Sequence, residues 1–280
     1  MIETATLPTA RACTLLEVNR GVYYAWKHRE PSGACNREIT SAIHAIALEF
    51  PGYGYRRITA ELRRRQTLAN HKRVLRLMRE EHLLCRRKSF KPHTTNSNHG
   101  LPLYPNLAQG RVVTKPNQLW VADITYVGIA DGWLYLAAII DLYSRKCVGW
   151  ELSRRIDTDL ALNALDRAVA KRASLGFDEL VHHSDRGVQY ASHAYVERLT
   201  ALGIRISMTQ TGNPRENAFA ESFMKTFKVE EVYLRDYQTF EDAYQNIQTF
   251  IEEVYNAKRL HSSIGYRPPN EMEAEVLNIR

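Results

Sequence analysis

Three acidic residues occupy positions from which carboxylates could do chemistry. Asp123 lies in the middle of a predicted strand, among apolar neighbours, where a charge costs free energy unless it is compensated. Asp185 ends a short predicted strand at a turn, and Glu221 lies in a predicted helix that follows a polar, glycine-containing loop. Taken singly, each has an ordinary interpretation as a turn former or a solvated side chain. Neighbouring strands and a packed helix could, however, bring all three to one point.

Carboxylates in this number indicate divalent-cation chemistry. Oxygen ligands without an accompanying set of His or Cys ligands favour Mg²⁺ or Mn²⁺ over zinc. Three carboxylates can hold a pair of ions about 3.5–4 Å apart, one activating an attacking oxygen and the other stabilising a leaving oxygen. His182 and His183 precede Asp185, and we interpret them as packing residues of the strand.

The hydrophobic pattern after residue 116 predicts the strands and helices that would position the three acids. The segments LWVADITYVGI, WLYLAAIIDLYS and KCVGWELS predict a three-stranded antiparallel meander, with Trp120, Trp133 and Trp150 in the core. A helix opened by Asp157, a strand ending in HHSD, a helix capped by Ser192 and a strand IRISM come next. Two further helices complete a mixed α/β order, and we expect the first to pack through three aromatic residues, Phe219, Phe223 and Phe227.

The positive charge is concentrated in the first part of the chain. Residues 1–115 hold 20 Lys and Arg against 8 Asp and Glu, whereas residues 116–280 hold 18 against 23. This asymmetry favours a polyanion-binding region in the first part of the chain, joined to a second part with a different function. Periodicity predicts short helices in 1–30, three helices in 36–92 with an Asn70 cap, and a linker over 93–116.

Three helices in series over 36–92, the last of them carrying a basic stripe, are typical of a helix-turn-helix DNA reader with a recognition helix near 71–82. A small helical bundle with a solvated basic face is the alternative. The candidate phosphate-binding residues are Arg56, Arg57, Lys72, Arg73, Arg76, Arg79, Arg86, Arg87 and Lys88.

Several long sequence motifs resemble those of one known family. WVADITYV, HHSDRGVQYAS, ENAFAESFMKTFKVE and YNAKRLHSSIGYRPPNE closely resemble the retroviral-integrase-like core of bacterial transposases, above all the orfB product of insertion-sequence-3-type elements. The upstream words NRGVYYAW, YGYRRITAEL and NHKRVLRLMRE extend the resemblance over essentially the whole chain. Thirty-five residues separate Asp185 from Glu221, as the family's D-D-(35)-E pattern requires.

The resemblance implies a fold and a set of roles. The fold would be a ribonuclease-H-like mixed α/β sheet with flanking helices over 117–280, ending in a C-terminal helical strap and preceded by the all-α helix-turn-helix-type region. Asp123, Asp185 and Glu221 would hold two Mg²⁺ ions, with Mn²⁺ as a possible substitute, and Lys228 would be the basic residue seven positions after the glutamate. One departure is Glu216, where the family usually has aspartate.

The implied reaction is DNA transposition. One strand would be hydrolysed at the element end, and the freed 3′-hydroxyl would attack a second phosphodiester. DNA would be the partner, bound by a homodimer or larger assembly, with an upstream orfA partner or frameshift fusion as a further expectation. A non-transposing nuclease and a DNA-binding regulator on the same fold are the alternatives.

Other classes of protein are not supported by the sequence. The chain lacks an apolar stretch of membrane-spanning length, a signal-peptide core and a CxxC pair, so we expect a cytoplasmic, nucleoid-associated protein with reduced thiols. Nucleotide-binding glycine motifs are missing, and Ser184 lacks a nucleophile-elbow context.

Overall fold

A computed structural model describes residues 9–27, 33–84, 101–210 and 217–277. The described residues before position 85 form helices, as predicted, namely α1 (Thr9–Leu15), α2 (Arg20–Lys27), α3 (Gly33–Glu49), α4 (Tyr55–Arg64) and α5 (His71–Glu80). The second part alternates strands and helices in the order β1 (Leu119–Ile129), β2 (Gly132–Asp141), β3 (Cys147–Ser153), α6 (Thr158–Arg172), β4 (Val181–Ser184), α7 (Val188–Ala191), α8 (His193–Ala201), β5 (Arg205–Met208), α9 (Ala218–Glu230), α10 (Phe240–Thr249) and α11 (Pro269–Leu277). A π-helical turn, Phe250–Tyr255, continues α10.

The five strands form one mixed sheet in the order β3-β2-β1-β4-β5. The first three strands pair antiparallel, which confirms the predicted meander, and β4 and β5 then add in parallel. Strand β1 therefore lies at the centre of the sheet, between an antiparallel and a parallel neighbour. Both of its faces must be covered, and its residues are apolar almost throughout.

Helices cover both faces of the sheet. Leu119 and Val121 point into a core shared with α9 and α10, whereas Trp120 and Ala122 point into a core shared with α6 and α8. This alternation is the period of two expected for a strand that is buried on both faces. Helix α6 lies very close to β3, because a Cβ atom on Gly149 would stand 2.2 Å from the carbonyl oxygen of Ala164.

Local signals in the sequence predict three of the helix starts in the described residues. The side chains of Asn70, Asp157 and Ser192 accept hydrogen bonds from backbone N–H groups in the first turns of α5, α6 and α8, as expected for helix caps. Helix α3 begins at Gly33, three residues before its predicted start at residue 36. The core prediction is wrong for Trp133, which is 57% exposed, since it stands at the start of β2 beside the β1–β2 turn.

The helical region has its own apolar core, built from α3, α4 and α5, and it also packs against the second part of the chain through Leu260. The predicted linker is partly described: residues 101–116 form neither helix nor strand. They lie against the sheet domain, where the Leu107 N–H donates to Ser207 Oγ at 2.8 Å. Among the described residues, no helix is long and apolar enough to cross a membrane.

Candidate active site

The register between β1 and β4 places two of the three acids next to each other. Val121 pairs with His183, and two residues further along each chain come Asp123 and Asp185. Parallel neighbours at the same level of a sheet are about 4.8 Å apart between backbones. Asp185 follows the last residue of β4, where the chain turns, and its Oδ1 accepts a hydrogen bond from the Gly187 N–H at 2.9 Å.

Helix α9 brings the third acid to the same face of the sheet. Its buried residues Ala220, Phe223, Met224 and Phe227 lie at helical spacing and pack on the core that also contains β1. Glu221 therefore stands in the first turn of a helix that is fixed to the central strand, on the exposed side of that helix. A carboxylate at this end of a helix is stabilised by the helix dipole.

A buried amide anchors the start of α9 beside Asp123. Asn217 Nδ2 donates to the carbonyl oxygen of Ala122 at 3.0 Å, and only 6% of Asn217 is exposed. Because Ala122 adjoins Asp123 in β1, this bond ties the helix carrying the third acid to the strand carrying the first. Sequence reasoning missed Asn217, which stands at the N-cap position of α9 but makes its side-chain hydrogen bond to Ala122 and not to the helix.

The electrostatics show that the acids act on one another. Burial, together with the nearby charges of Asp185 and Glu221, raises the pKa of Asp123 to about 7. A hydrogen bond from the Ile124 N–H at 2.8 Å and the charge of Lys228 work in the opposite direction. The pKa of Glu221 is also raised by burial. The site therefore concentrates carboxylates whose negative charge is incompletely compensated by the protein.

The side chains as they stand do not form a finished cation site. Within the described ranges, no three His, Cys, Asp or Glu side chains are grouped closely enough to hold a metal ion. Carboxylates repel one another in a partly buried site, and a cation is what draws them together. The donor set suits Mg²⁺ or Mn²⁺ in its chemistry, because each of the three side chains offers hard oxygen atoms.

Lys228 lies on α9 with Glu221 and near Asp123. Its Nζ stands 3.9 Å from the centre of the Tyr126 ring. Burial lowers the pKa of Lys228, and the charge of Asp123 acts in the opposite direction. The seven-residue spacing from Glu221 is close to two helical turns, so both side chains share a helix face as the sequence suggested.

The residues around Asp185 are mostly structural. His182 shares a hydrogen bond of 2.9 Å with Tyr195 Oη, and burial lowers the pKa of His182 to about 3. His183 Nδ1 lies 2.8 Å from Ser207 Oγ, and both rings are buried. Arg186 Nε donates to the carbonyl oxygen of Thr209 at 2.6 Å, which links the turn after β4 to the end of β5.

Three of the candidate DNA-binding residues form a stripe on α5. Lys72, Arg76 and Arg79 are exposed at spacings of four and three residues, whereas Val74, Leu77 and Met78 on the same helix are buried. Arg56 is exposed on α4, and its guanidinium lies against the Tyr55 ring.

The other candidate DNA-binding residues differ in their surroundings. Arg73 is half-buried and donates from Nε and Nη2 to Asn36 Oδ1 at 2.8 and 2.6 Å. Arg57 is also half-buried, and its Nη1 lies 3.8 Å from Glu230 Oε1 in the second part of the chain. Arg86, Arg87 and Lys88 lie outside the described residues, as does Glu216.

Comparison of the sequence with models of known protein families identifies the class of protein to which the chain belongs. Residues 113–214 match a family model described as "Integrase core domain", and residues 202–269 match a second model with the same description. Residues 34–90 match a model described as "HTH-like domain". With the observed sheet order, these matches confirm the predicted fold class, a ribonuclease-H-like mixed sheet preceded by a helix-turn-helix-like helical region.

Full-length relatives narrow the class to one family. The chain is 37% identical over 262 residues to "Insertion element IS600 uncharacterized 31 kDa protein" of Shigella sonnei, covering 92% of this chain and 95% of the relative. It is 38% identical to "Transposase for insertion sequence element IS904" of Lactococcus lactis, covering 88% and 98%. It is 34% identical to "Transposase InsF for insertion sequence IS3A" of Escherichia coli, covering 95% and 93%. The chain belongs to the insertion-sequence-3-type transposase family.

Solved structures of retroviral integrases are also similar in fold. The simian T-cell lymphotropic virus intasome in complex with PP2A regulatory subunit B56 gamma has a TM-score of 0.48 at 17% identity, covering 77% of this chain and 70% of that one. The catalytic core domain of BIV integrase has a TM-score of 0.41 at 19% identity, covering 58% and 97%.

Proposed function

We propose that this chain cleaves a DNA strand at the end of an insertion element and joins the freed 3′-hydroxyl to a second phosphodiester. The observation that carries the proposal is the placement of Asp123 and Asp185 at one level of neighbouring strands, with Glu221 on the helix anchored beside them. Membership of an insertion-sequence transposase family supports the choice of DNA over other phosphodiester substrates.

In the proposed mechanism, Asp123, Asp185 and Glu221 hold two Mg²⁺ ions. Two ions held there would supply Lewis-acid activation of the attacking oxygen and charge stabilisation of the leaving oxygen in an in-line displacement. The carboxylates would fix the positions of the two ions, and the Lys228 ammonium would neutralise charge on a nearby DNA phosphate. Because both steps are substitutions at phosphorus, one set of residues serves both without a covalent enzyme intermediate.

The direct test is to incubate the purified chain with duplex DNA from an element end and Mg²⁺. A labelled strand should be cut with a 3′-hydroxyl and then appear joined to a second duplex. Cleavage without joining would favour the nuclease, and DNA binding without metal binding or cleavage would favour the regulator. Sedimentation of the same complex tests the proposed dimer on DNA, and adding an upstream orfA product tests that partner.

Metal binding should depend on pH through Asp123. The pKa of this carboxyl is raised to about 7, and the cation binds only its ionised form. Apparent Mg²⁺ affinity should therefore fall by up to about tenfold for each pH unit below 7, and should level off above it. Calorimetry in buffers of different ionisation enthalpy should show about one proton released per site at pH 6 and little release at pH 8. Equal affinity and no proton release at both pH values would contradict this assignment.

DNA binding should weaken steeply as salt is added. Each phosphate neutralised by a basic side chain releases counterions, and the logarithm of the affinity falls with that of salt with a slope of about −0.9 per contact. Lys72→Gln and Arg76→Gln should each make the slope shallower by about 0.9 in filter binding. Lys171→Gln, which removes an exposed charge from α6, is the matched control and should leave the slope unchanged. If neither Lys72→Gln nor Arg76→Gln alters the slope, the stripe on α5 does not contact DNA phosphates.

A further inference from the structure

The side chain of Glu230, the last residue of α9, is held by Arg259, which follows the π-helical turn. Glu230 accepts hydrogen bonds from Arg259 Nε and Nη2 at 2.6 and 2.7 Å, and only 2% of the Arg259 side chain is exposed. Arg259 Nη2 also lies 3.4 Å from Thr226 Oγ1 on the same helix. A bidentate, buried pair of this kind fixes both the position and the orientation of the carboxylate.

The helical region closes on the same carboxylate from the other side. A Cβ atom on Gly52, in the turn between α3 and α4, would stand 2.3 Å from Glu230 Cγ, so that turn packs directly on the side chain. Arg57 on α4 places Nη1 3.8 Å from Glu230 Oε1. Glycine at position 52 is what allows this close approach, because any larger residue would displace Glu230.

A second contact holds the turn in place. Tyr53, 2% exposed, accepts a hydrogen bond at its hydroxyl oxygen from the Leu260 N–H at 2.7 Å. The Leu260 side chain is fully buried in the core of the helical region. Glu230 is therefore closely packed between the helical region and Arg259, and a movement of the helical region would be transmitted to the end of α9.

We propose that Gly52, Arg57, Glu230 and Arg259, here called the Glu230 joint, let the helical region position the catalytic helix as well as bind DNA. The proposal rests on the proposed function, in which α9 carries Glu221 and Lys228. Glu230 is two residues from Lys228 and nine from Glu221, a distance of about 14 Å along a rigid helix. A shift at the joint therefore moves both side chains, and misplacement by about 1 Å can lower a rate by roughly a hundredfold.

The test compares Gly52→Ala with Gly54→Ala in the full chain. Gly54 lies in the same turn with nothing within 4 Å of a Cβ atom, so its variant is the matched control. At saturating DNA, Gly52→Ala should lower the cleavage rate roughly ten- to a hundredfold and weaken Mg²⁺ binding, with the DNA dissociation constant unchanged. Gly54→Ala should stay within about twofold of the unchanged protein in every measurement.

A double-mutant cycle separates positioning from loss of fold. Glu230→Ala removes the atoms that a methyl group at position 52 would meet, so Gly52→Ala should have little further effect in that background. Glu230→Gln, which keeps the shape but removes the charge, should also lower the rate about tenfold at saturating DNA. Glu271→Gln is its control, because Glu271 pairs with Arg64 at an exposed contact between the same two regions, away from α9.

The outcomes for the joint and for the active site are distinguishable. Failure of the unchanged protein to bind Mg²⁺ or cut DNA would reject the proposed function. The joint is judged independently by amide hydrogen exchange of α9, which Gly52→Ala should accelerate and Gly54→Ala should not. Equal exchange in these two variants would overturn the proposal that the Glu230 joint positions α9. Additive effects of Gly52→Ala and Glu230→Ala on the cleavage rate would also overturn it.

Discussion

Asp185→Asn and Glu221→Gln should each abolish detectable strand cleavage while leaving duplex DNA bound. Each substitution keeps the size of the side chain but replaces a charged oxygen ligand with a weakly coordinating amide. Removing one group that stabilises transition-state charge in a preorganised site lowers rates by on the order of 10²–10³-fold. Loss of a metal ligand should reach at least this range, measured as release of a labelled strand at saturating Mg²⁺.

DNA binding should be nearly unchanged in these variants, because the basic residues of the helical region lie on other elements. Glu197→Gln is the matched control, since it removes an exposed carboxylate from α8 on the opposite face of the sheet. Metal-dependent cleavage retained by both Asp185→Asn and Glu221→Gln would remove the triad assignment. Cleavage lost equally in Glu197→Gln would show that general loss of negative charge, and not a ligand set, is responsible.

Of the three candidate acids, only Asp123 conflicts with a local sequence rule, because Asp185 at a turn and Glu221 in a helix also have ordinary interpretations. A charged residue inside an apolar strand, as at Asp123, signals a compensating partner, and the alternation around it fixes the face. That β4 pairs with β1 could not be derived from periodicity, because the pairing joins strands separated by about sixty residues. The resemblance to a known family supplied that part of the prediction.

Long-range packing accounts for what the sequence did not predict. Phe223 and Phe227 are buried as expected, but Phe219 is 46% exposed and its ring lies 4.2 Å from the Arg145 guanidinium carbon. Near the ends of α9, the helical period does not determine to within one residue which side chains are buried. Sequence reasoning likewise did not anticipate the pairing of Arg57 with Glu230, which lies 173 positions further along the chain, and the predicted phosphate contact of Arg57 stays a prediction.

The long helix after residue 239 shows a related limit. The segment FEDAYQNIQTFIEEVYNAKR has the pattern of one long helix, but the structure changes to a π-helical turn at Phe250–Tyr255. The turn is followed by Asn256, whose side chain accepts from the Cys147 N–H at 2.9 Å and donates to the Cys147 carbonyl at 3.0 Å. Directly after the π-helical turn, this amide thus satisfies both backbone groups of Cys147 in the edge strand β3.

A buried ion-pair network should make Arg172 one of the most important residues for stability. Arg172 is 4% exposed and pairs with Glu273 of α11, which is 2% exposed, and its Nη2 lies 3.9 Å from Asp141 Oδ2. Ser144 Oγ donates to Glu273 Oε1 at 2.6 Å, and Lys146 Nζ lies 3.1 Å from Glu273 Oε2. The network thus connects α6, the end of β2 and the last described helix.

Arg172→Met should lower the free energy of unfolding by about 3–5 kcal/mol, because it leaves two buried carboxylates without their principal cation. Burial alone would raise the pKa of Glu273, but the hydrogen bond and charge of Arg172 lower it below its ordinary value. Urea unfolding measures the loss. Arg198→Met is the control: its pair with Asp166, at 2.8 Å, is about half exposed and should contribute at most about 1 kcal/mol.

The pH dependence of the Arg172→Met defect separates lost charge from lost packing. Without Arg172, burial should raise the folded-state pKa of Glu273 above its unfolded value, so the folded variant binds a proton more readily than the unfolded chain. A raised pKa contributes stability at low pH that is lost as pH rises through the folded-state value. The deficit relative to the unchanged protein should therefore be larger at pH 8 than at pH 5. A deficit equal at both pH values would mean that packing of the arginine stem, and not its charge, stabilises this part of the fold.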